Sequence, residues 1–270
     1  MSLETKTTTA IATLKKSRKL IVALSGGVDS AVLLHLAVRA LGAENVVAAT
    51  GQSAAVPGSD LEDAEAVARC VGVRLERVAT YELEQPDYVA NRGDRCFHCR
   101  EELFQRLAHL GRRLGILEIA YGAIVDDLGD NRPGMRSAEQ RSVRSPLLDA
   151  GLTKADIREV ARAAGLPVRD KPASPCLASR LPVGTVVTSE RLARIEVAET
   201  GLRALGLTEF RVRDHFPLAR VELDAEGLSR SGRDAFRSRI ESVVRGAGFA
   251  NVEIDPAGYG GIGPIRSGGQ

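Results

Sequence analysis

An apolar run, Leu20-Ile21-Val22-Ala23-Leu24, leads directly into Ser25-Gly26-Gly27-Val28-Asp29-Ser30, and the helical pattern Ala31 to Val38 follows at once. Strand, glycine turn and helix in that order make an anion site. The first amides of a helix have no intrahelical partner, and the aligned peptide dipoles put partial positive charge at that end. Gly26 and Gly27 let the main chain come close to an oxyanion. Ser25 and Ser30 add hydroxyl donors, and Asp29 can hold a metal ion or the loop itself. The chemistry indicated is phosphate handling; the bland alternative is a turn whose serines only cap the helix. The loop lacks the lysine of G-x-x-x-x-G-K-[ST], and it is not the dinucleotide fingerprint G-x-G-x-x-G.

Cysteines form the second reactive set. Cys96 and Cys99 stand in C-x-x-C spacing just before a helical pattern, and Cys176 falls in a proline-rich stretch. C-x-x-C is shared by zinc sites, redox pairs and iron–sulfur sites. A zinc site lacks a second C-x-x-C here, whereas Cys96, Cys99 and Cys176 supply three thiolates for a four-iron cluster with one iron left open. Neighbouring Arg95, Arg100 and Arg180 are expected to lower thiol pKa values. Cys70, inside a helical pattern, reads as a small buried apolar residue.

The elements that must position these groups alternate. Leu20–Leu24, Val46–Thr50 and Val73–Val78 read as strands, and Ile116–Ile124 is a further apolar run ending at Asp126-Asp127. Ala31–Leu41, Asp60–Val71 (capped by Ser59), Arg100–Leu114 and Lys154–Ala164 (opened by Thr153) read as helices. The fold class expected is α/β, a parallel sheet with helices on both faces, whose ligands gather at the carboxyl ends of the strands. After the irregular stretch Asp170–Thr188, an αββαβ pattern over Glu190–Ile254 predicts a smaller C-terminal α+β domain. The divisions expected are 1–169, a nucleotide domain; 170–188, a cysteine-bearing loop or linker; and 189–270, a substrate or oligomerisation domain. The end, Gly258 to Gln270, is rich in glycine.

Composition excludes several classes. Lys+Arg 37 against Asp+Glu 35 leaves +2, with no Trp and 4% aromatic residues, which argues against a nucleic-acid surface with stacking platforms. No window carries the ~20 apolar residues of a membrane span, and Met1 to Lys19 has no signal-peptide core. Four cysteines in 270 residues do not make a disulfide scaffold. A cytoplasmic protein with no membrane partner is expected.

The Ser25–Ser30 loop resembles that of the N-type ATP pyrophosphatases, which cleave ATP between its α and β phosphates and adenylate a substrate oxygen. A more specific likeness lies in the order of segments. That loop is followed by Asp94-Arg95-Cys96-Phe97-His98-Cys99-Arg100 and then by Asp126 to Arg136. Lys171-Pro172-Ala173-Ser174-Pro175-Cys176-Leu177-Ala178-Ser179-Arg180 and Phe210-Arg211-Val212-Arg213-Asp214-His215 come next. The whole set is similar, over nearly the full chain, to the ATP-dependent sulfur transferases that make the nickel-pincer nucleotide, the cofactor of lactate racemase.

That resemblance implies a small-molecule substrate, pyridinium-3,5-biscarboxylic acid mononucleotide, whose carboxylates are adenylated and converted to thiocarboxylates. It implies ATP and Mg2+, with pyrophosphate bound by Ser25, Gly26, Gly27, Asp29 and Ser30. Cys176 becomes the catalytic residue, either as the sulfur given up or, with Cys96 and Cys99, as a ligand of a [4Fe–4S] cluster; the three-cysteine form is the expectation here. Arg211 and Arg213, on one face of a strand, match the substrate-phosphate arginines, against the reading of a solvated strand face. Arg132 and Arg136 are weaker phosphate candidates, and Asp126 and Asp127 are weaker candidates for metal. A homo-oligomer is implied. Ile124 stands where relatives usually carry Asn. A tRNA thiolase, an amide-forming ATP pyrophosphatase or a non-catalytic ATP-binding module are the competing readings.

Overall fold

The computed structural model describes residues 1–128 and 133–260. The chain divides into two compact units: Met1–Gln85 with Asp94–Ala173, and Pro86–Gly93 with Ser174–Gln270.

The first unit is an α/β layer structure. Helix α1 (Leu3–Leu14) precedes strand β1 (Leu20–Ala23), helix α2 (Val28–Leu41), strand β2 (Val46–Gln52), helix α3 (Gly58–Val71) and strand β3 (Arg74–Ala79). Helix α5 (Arg95–Leu114), strand β4 (Ile119–Ala120) and helices α6 (Pro133–Gln140), α7 (Pro146–Asp149) and α8 (Lys154–Ala163) complete it. The strands are ordered β3-β2-β1-β4, every pair parallel. Alternation along β1 divides the core in two. Leu20 and Val22 join one cluster with side chains of α1, α2, α3 and α8, while Ile21 joins the opposite cluster with Phe104, Leu107 and Leu110 of α5. Helices therefore cover both faces, as parallel strands require.

Chain order reverses at β1: β2 lies on one side of it and β4 on the other. That is the switch point where open α/β sheets bind ligands, and the Ser25–Ser30 loop leaves β1 there.

The second unit carries α4 (Pro86–Ala90), α9 (Ser189–Ala204), β5 (Phe210–His215), β6 (Leu218–Leu223), α10 (Ala225–Ser231), α11 (Asp234–Gly246) and β7 (Asn251–Ile254). β5 and β6 are antiparallel, and β6 and β7 are parallel. Val212, Ala219, Val221 and Leu223 are buried with Leu192, Ile195 and Leu202 of α9 and Ile240 and Val244 of α11. Helix α10 is absent from the sequence reading because Gly227 and its serines weaken the helical signal.

Several boundaries move. Helix α2 starts at Val28, so Asp29 and Ser30 lie in its first turn with Gly27 as N-cap. Pro57, not Ser59, precedes α3 as its N-cap. Helix α5 begins at Arg95, which places Cys96 and Cys99 inside it rather than before it. Thr153 caps α8 as expected: its hydroxyl accepts from the Asp156 amide, and the Asp156 carboxylate accepts from the Thr153 amide. Cys70 is exposed, because Ala64, Val67 and Ala68 form the buried stripe of α3 and Cys70 falls outside it. Among the described residues no helix is long and apolar enough to cross a membrane.

Candidate functional site

The loop after β1 is built from its own backbone. Gly26 has φ +77°, a region that disfavours any residue with a Cβ, and a Cβ there would collide with the Asp60 carbonyl oxygen in the first turn of α3. Ser30 Oγ takes the Ser25 amide at 3.1 Å and donates to the Gly27 carbonyl at 3.0 Å. The Ser25 and Ser30 hydroxyls lie 3.1 Å apart, and Ser25 Oγ accepts from the Gly27 amide at 3.3 Å. Val28, Asp29 and Ser30 open α2, so their amides have no carbonyl one turn back to bond. Gly122, two residues past β4, abuts this turn, since a Cβ there would sit 2.8 Å from the Ser30 nitrogen. The structure thus brings Ser25, Gly26, Gly27, Asp29 and Ser30 together as one anion-shaped turn.

Two lysines that the sequence reading did not single out as site residues reach the turn. Lys154, first residue of α8, places Nζ 2.7 and 2.8 Å from the two Asp29 carboxylate oxygens. Burial raises the Asp29 pKa and Lys154 acts against that rise. Lys171 Nζ donates to the Gly26 carbonyl at 3.1 Å and to Asp60 Oδ1 at 2.7 Å, and it lies 2.6 Å from Asp63 Oδ2. Lys171 opens the segment that carries Cys176, but nothing local ties either lysine to the turn, because their partners are remote in sequence.

The weaker candidates near the turn have partners within the protein. Asp126 Oδ2 accepts from the Lys154 amide at 2.9 Å, and Asp127 Oδ2 from the Ile124 amide at 3.0 Å. Ile124 is buried in the core cluster that α2 and α8 share, so its side chain packs rather than points at a ligand. The Arg136 guanidinium lies 5.4 Å from the centre of the Phe97 ring. Arg132 and residues 261–270 lie outside the described residues.

Cys96 and Cys99 sit three apart in the first turns of α5, hence on one side of the helix and at its positive end. Cys96 is exposed and Cys99 partly so. Arg100, four residues after Cys96, lies 5.4 Å over the Tyr121 ring.

Cys176 belongs to the second unit, at the mouth of a short 3₁₀ turn, Leu177–Arg180. Arg180 is buried and pairs through Nε and Nη2 with the two Glu199 oxygens at 2.8 and 2.9 Å. Its Nη1 donates to the carbonyls of Pro175 and Cys176 at 2.6 and 3.2 Å and meets Ser179 Oγ at 2.9 Å. Burial works to lower the Arg180 pKa, but Glu199 reverses this and the net shift is upward. Arg180 therefore holds the cysteine segment through its backbone, while its charge pairs mainly with Glu199.

Arg211 and Arg213 do share a face of β5, but it is a buried face, not a solvated one. Arg213 pairs with Glu222 at 2.8 and 3.0 Å and donates to the Ser179 carbonyl at 3.0 Å. Arg211 donates to the Tyr259 hydroxyl at 2.8 Å, and burial lowers its pKa. Among the described residues, no group of three or more His, Cys, Asp and Glu side chains is gathered as a metal-binding set.

A profile for NAD synthase matches residues 5–97, the part that carries the anion-shaped turn and α5's first cysteine. An uncharacterized protein of Synechocystis sp. is 40% identical over 239 residues, covering 88% of this chain and 89% of the relative. The pyridinium-3,5-bisthiocarboxylic acid mononucleotide synthase of Lactiplantibacillus plantarum is 31% identical over 258 residues, covering 96% of this chain and 93% of that enzyme. The chain belongs to this synthase family. Membership, with the pyrophosphate-type loop of the first unit, makes it an adenylating, ATP-dependent sulfur transferase. A tRNA-specific 2-thiouridylase of Xanthobacter autotrophicus is 31% identical over 224 residues but is covered over only 57% of its length. That match spans 68% of this chain, against 96% for the L. plantarum synthase.

Proposed function

We propose that this protein adenylates a carboxylate of pyridinium-3,5-biscarboxylic acid mononucleotide and replaces one of its oxygens with sulfur. The single observation that carries the reading is the likeness to the L. plantarum synthase along 96% of the chain; the turn at Ser25–Ser30 supplies the physical means.

A carboxylate is a poor acyl donor because its leaving group would be oxide. Attack of a carboxylate oxygen on the α-phosphorus of ATP forms the acyl-adenylate and expels pyrophosphate into the Ser25–Ser30 turn. There the unbonded amides of Val28, Asp29 and Ser30 and the α2 dipole stabilise its charge. Asp29 is the carboxylate for Mg2+, which neutralises triphosphate charge. Arg211 and Arg213 are assigned to the phosphate of the substrate nucleotide. Both guanidinium groups are buried, Arg211 against the neutral Tyr259 hydroxyl and Arg213 in an ion pair with Glu222.

Sulfur then attacks the acyl carbon and AMP leaves. If Cys176 supplies it, the thiolate forms a thioester. Loss of the cysteine α-proton then breaks the Cβ–Sγ bond, leaving thiocarboxylate and dehydroalanine. Cys96, Cys99 and Cys176 are also thiols of the soft donor type that a [4Fe–4S] cluster takes, none of them in a disulfide and each at least partly exposed. Such a cluster would supply a sulfide nucleophile and spare Cys176. We assign the three cysteines to this cluster. The second unit is assigned to substrate binding and to a homo-oligomeric assembly acting in the cytoplasm.

The test is incubation of anaerobically reconstituted protein with ATP, Mg2+ and the pyridinium dicarboxylate mononucleotide. AMP, pyrophosphate and thiocarboxylate are expected, with Cys176 intact by mass spectrometry. ADP formation overturns the reading; dehydroalanine at Cys176 overturns the cluster assignment alone.

A further inference from the structure

Three arginines of the second unit lie within electrostatic range of one another, and they are matched differently. Arg180 pairs with Glu199 and Arg213 with Glu222. Arg211 donates to the Tyr259 hydroxyl at 2.8 Å, and its guanidinium carbon lies 4.5 Å over the centre of the same ring. Burial lowers the Arg211 pKa, and the charges of Arg213 and Arg180 push it the same way. These three guanidinium groups and two carboxylates carry one positive charge in excess, at residues almost wholly withdrawn from water. Such a cluster favours an anion.

Tyr259 is brought to Arg211 by the main chain. After β7 the Asp255 amide donates to the Val221 carbonyl at 2.9 Å. The Asp255 carboxylate and carbonyl then accept the amides of Ala257 and Gly258 at 2.9 and 3.1 Å. Gly258 has φ +74°, and a Cβ there would stand 3.0 Å from the Leu223 carbonyl oxygen. The Tyr259 amide donates to that same carbonyl at 2.7 Å. A phenol hydroxyl both accepts and donates. Arg211 uses the accepting side, so the O–H remains to donate. Arg211 is 2% exposed, whereas Tyr259 is partly exposed.

We propose that Tyr259 is a substrate-binding residue, its hydroxyl held by Arg211 and donating to the phosphate of the substrate nucleotide. Arg211 polarises the hydroxyl and so strengthens the bond that it donates. The excess positive charge behind it selects the phosphorylated form of the substrate over the riboside. The inference rests on the assignment of Arg211 and Arg213 to that phosphate, and it names the side chain through which Arg211 acts.

Calorimetry on the full chain, with Mg2+ withheld to prevent turnover, compares the pyridinium dicarboxylate mononucleotide with its riboside, which lacks the phosphate. Tyr259→Phe keeps the ring over Arg211 and removes only the hydroxyl. Mononucleotide affinity should fall about tenfold, the scale of a hydrogen bond to a charged group, while riboside affinity holds. In turnover, KM for the mononucleotide should rise with kcat little changed. Unchanged mononucleotide affinity overturns the proposal. So does tighter binding, which would mean that the phenol only covers Arg211, and so does an equal loss for both ligands, which would mean a general disturbance of the site. Thermal melting checks the fold, and Tyr259→Ala gives the same comparison if Tyr259→Phe is unstable. Failure of the unaltered protein to bind the mononucleotide overturns the substrate assignment and this proposal with it. Normal binding with an indifferent Tyr259→Phe overturns the role of the tyrosine alone.

Discussion

The Ser25–Ser30 turn and the Cys176 segment, the two places to which the chemistry is assigned, are held by opposite means. In the first, small residues and the main chain do the work. Gly26 takes a left-handed conformation against Asp60, the serine hydroxyls bond within the loop, and Gly122 closes in from behind. In the second, long charged side chains hold the backbone from outside. The Arg180–Glu199 pair grips the carbonyls of Pro175 and Cys176, and Arg213 grips that of Ser179. A site that must wrap a polyanion offers amides and leaves room. A segment that must present one thiol is fixed at the carbonyls around it, leaving the thiol itself uncommitted. Glu199 also accepts the Val212 amide at 3.0 Å, which joins the cysteine segment to β5.

The sharpest way to break the comparison is Arg180→Met. It strands Glu199, buried and unpaired, and should cost about 3–5 kcal/mol of stability in the second unit, read from urea unfolding. Adding Glu199→Leu should restore most of that stability without restoring sulfur transfer, because the carbonyls beside Cys176 stay ungripped. Recovery of transfer in the double variant would show that the pair only fills space.

For the backbone-built loop, the matching change is Gly26→Ala, compared with Gly72→Ala. Both glycines lie at φ near +80°, but a Cβ at Gly72 meets nothing within 4 Å. Gly72→Ala should cost about 1–2 kcal/mol from conformation alone. Gly26→Ala should cost more and also lose ATP binding, measured by calorimetry. Equal stability losses with unchanged ATP affinity would count against a loop shaped by close approach.

A smaller effect sets the acid limit of the first unit. Lys6 holds Asp156 at 2.6 Å, and that ion pair and the Thr153 hydrogen bonds lower its pKa to about 2 from 3.8. A carboxylate with a depressed folded-state pKa stabilises fully above its unfolded value and loses that contribution as pH falls through the folded one. The α1–α8 tie should therefore weaken between about pH 4 and pH 2. Asp156→Asn should flatten that part of the stability profile, followed by circular dichroism.

The same contrast explains what was legible in the sequence. The turn could be read because Gly26, Gly27 and the flanking strand and helix patterns are local, and local conformation fixes the site. The parallel sheet followed from the alternation of elements, and the capping box at Thr153 from a four-residue pattern. Lys154, Lys171 and the Arg180–Glu199 grip were hidden because each joins residues far apart in sequence. Arg213 read as a phosphate ligand or a solvated charge, while its bidentate partner Glu222 came into reach only through the β5–β6 hairpin. Cys70 shows the converse: residue type suggested burial, and its angular place on α3 decided otherwise.

The most direct measurement of the central claim uses substrate whose carboxylates carry heavy oxygen. If a carboxylate oxygen attacks the α-phosphorus of ATP, sulfur transfer must leave one labelled oxygen on the phosphate of each AMP released, seen by phosphorus NMR or mass spectrometry. AMP that carries no label, while thiocarboxylate accumulates, would contradict activation by adenylation.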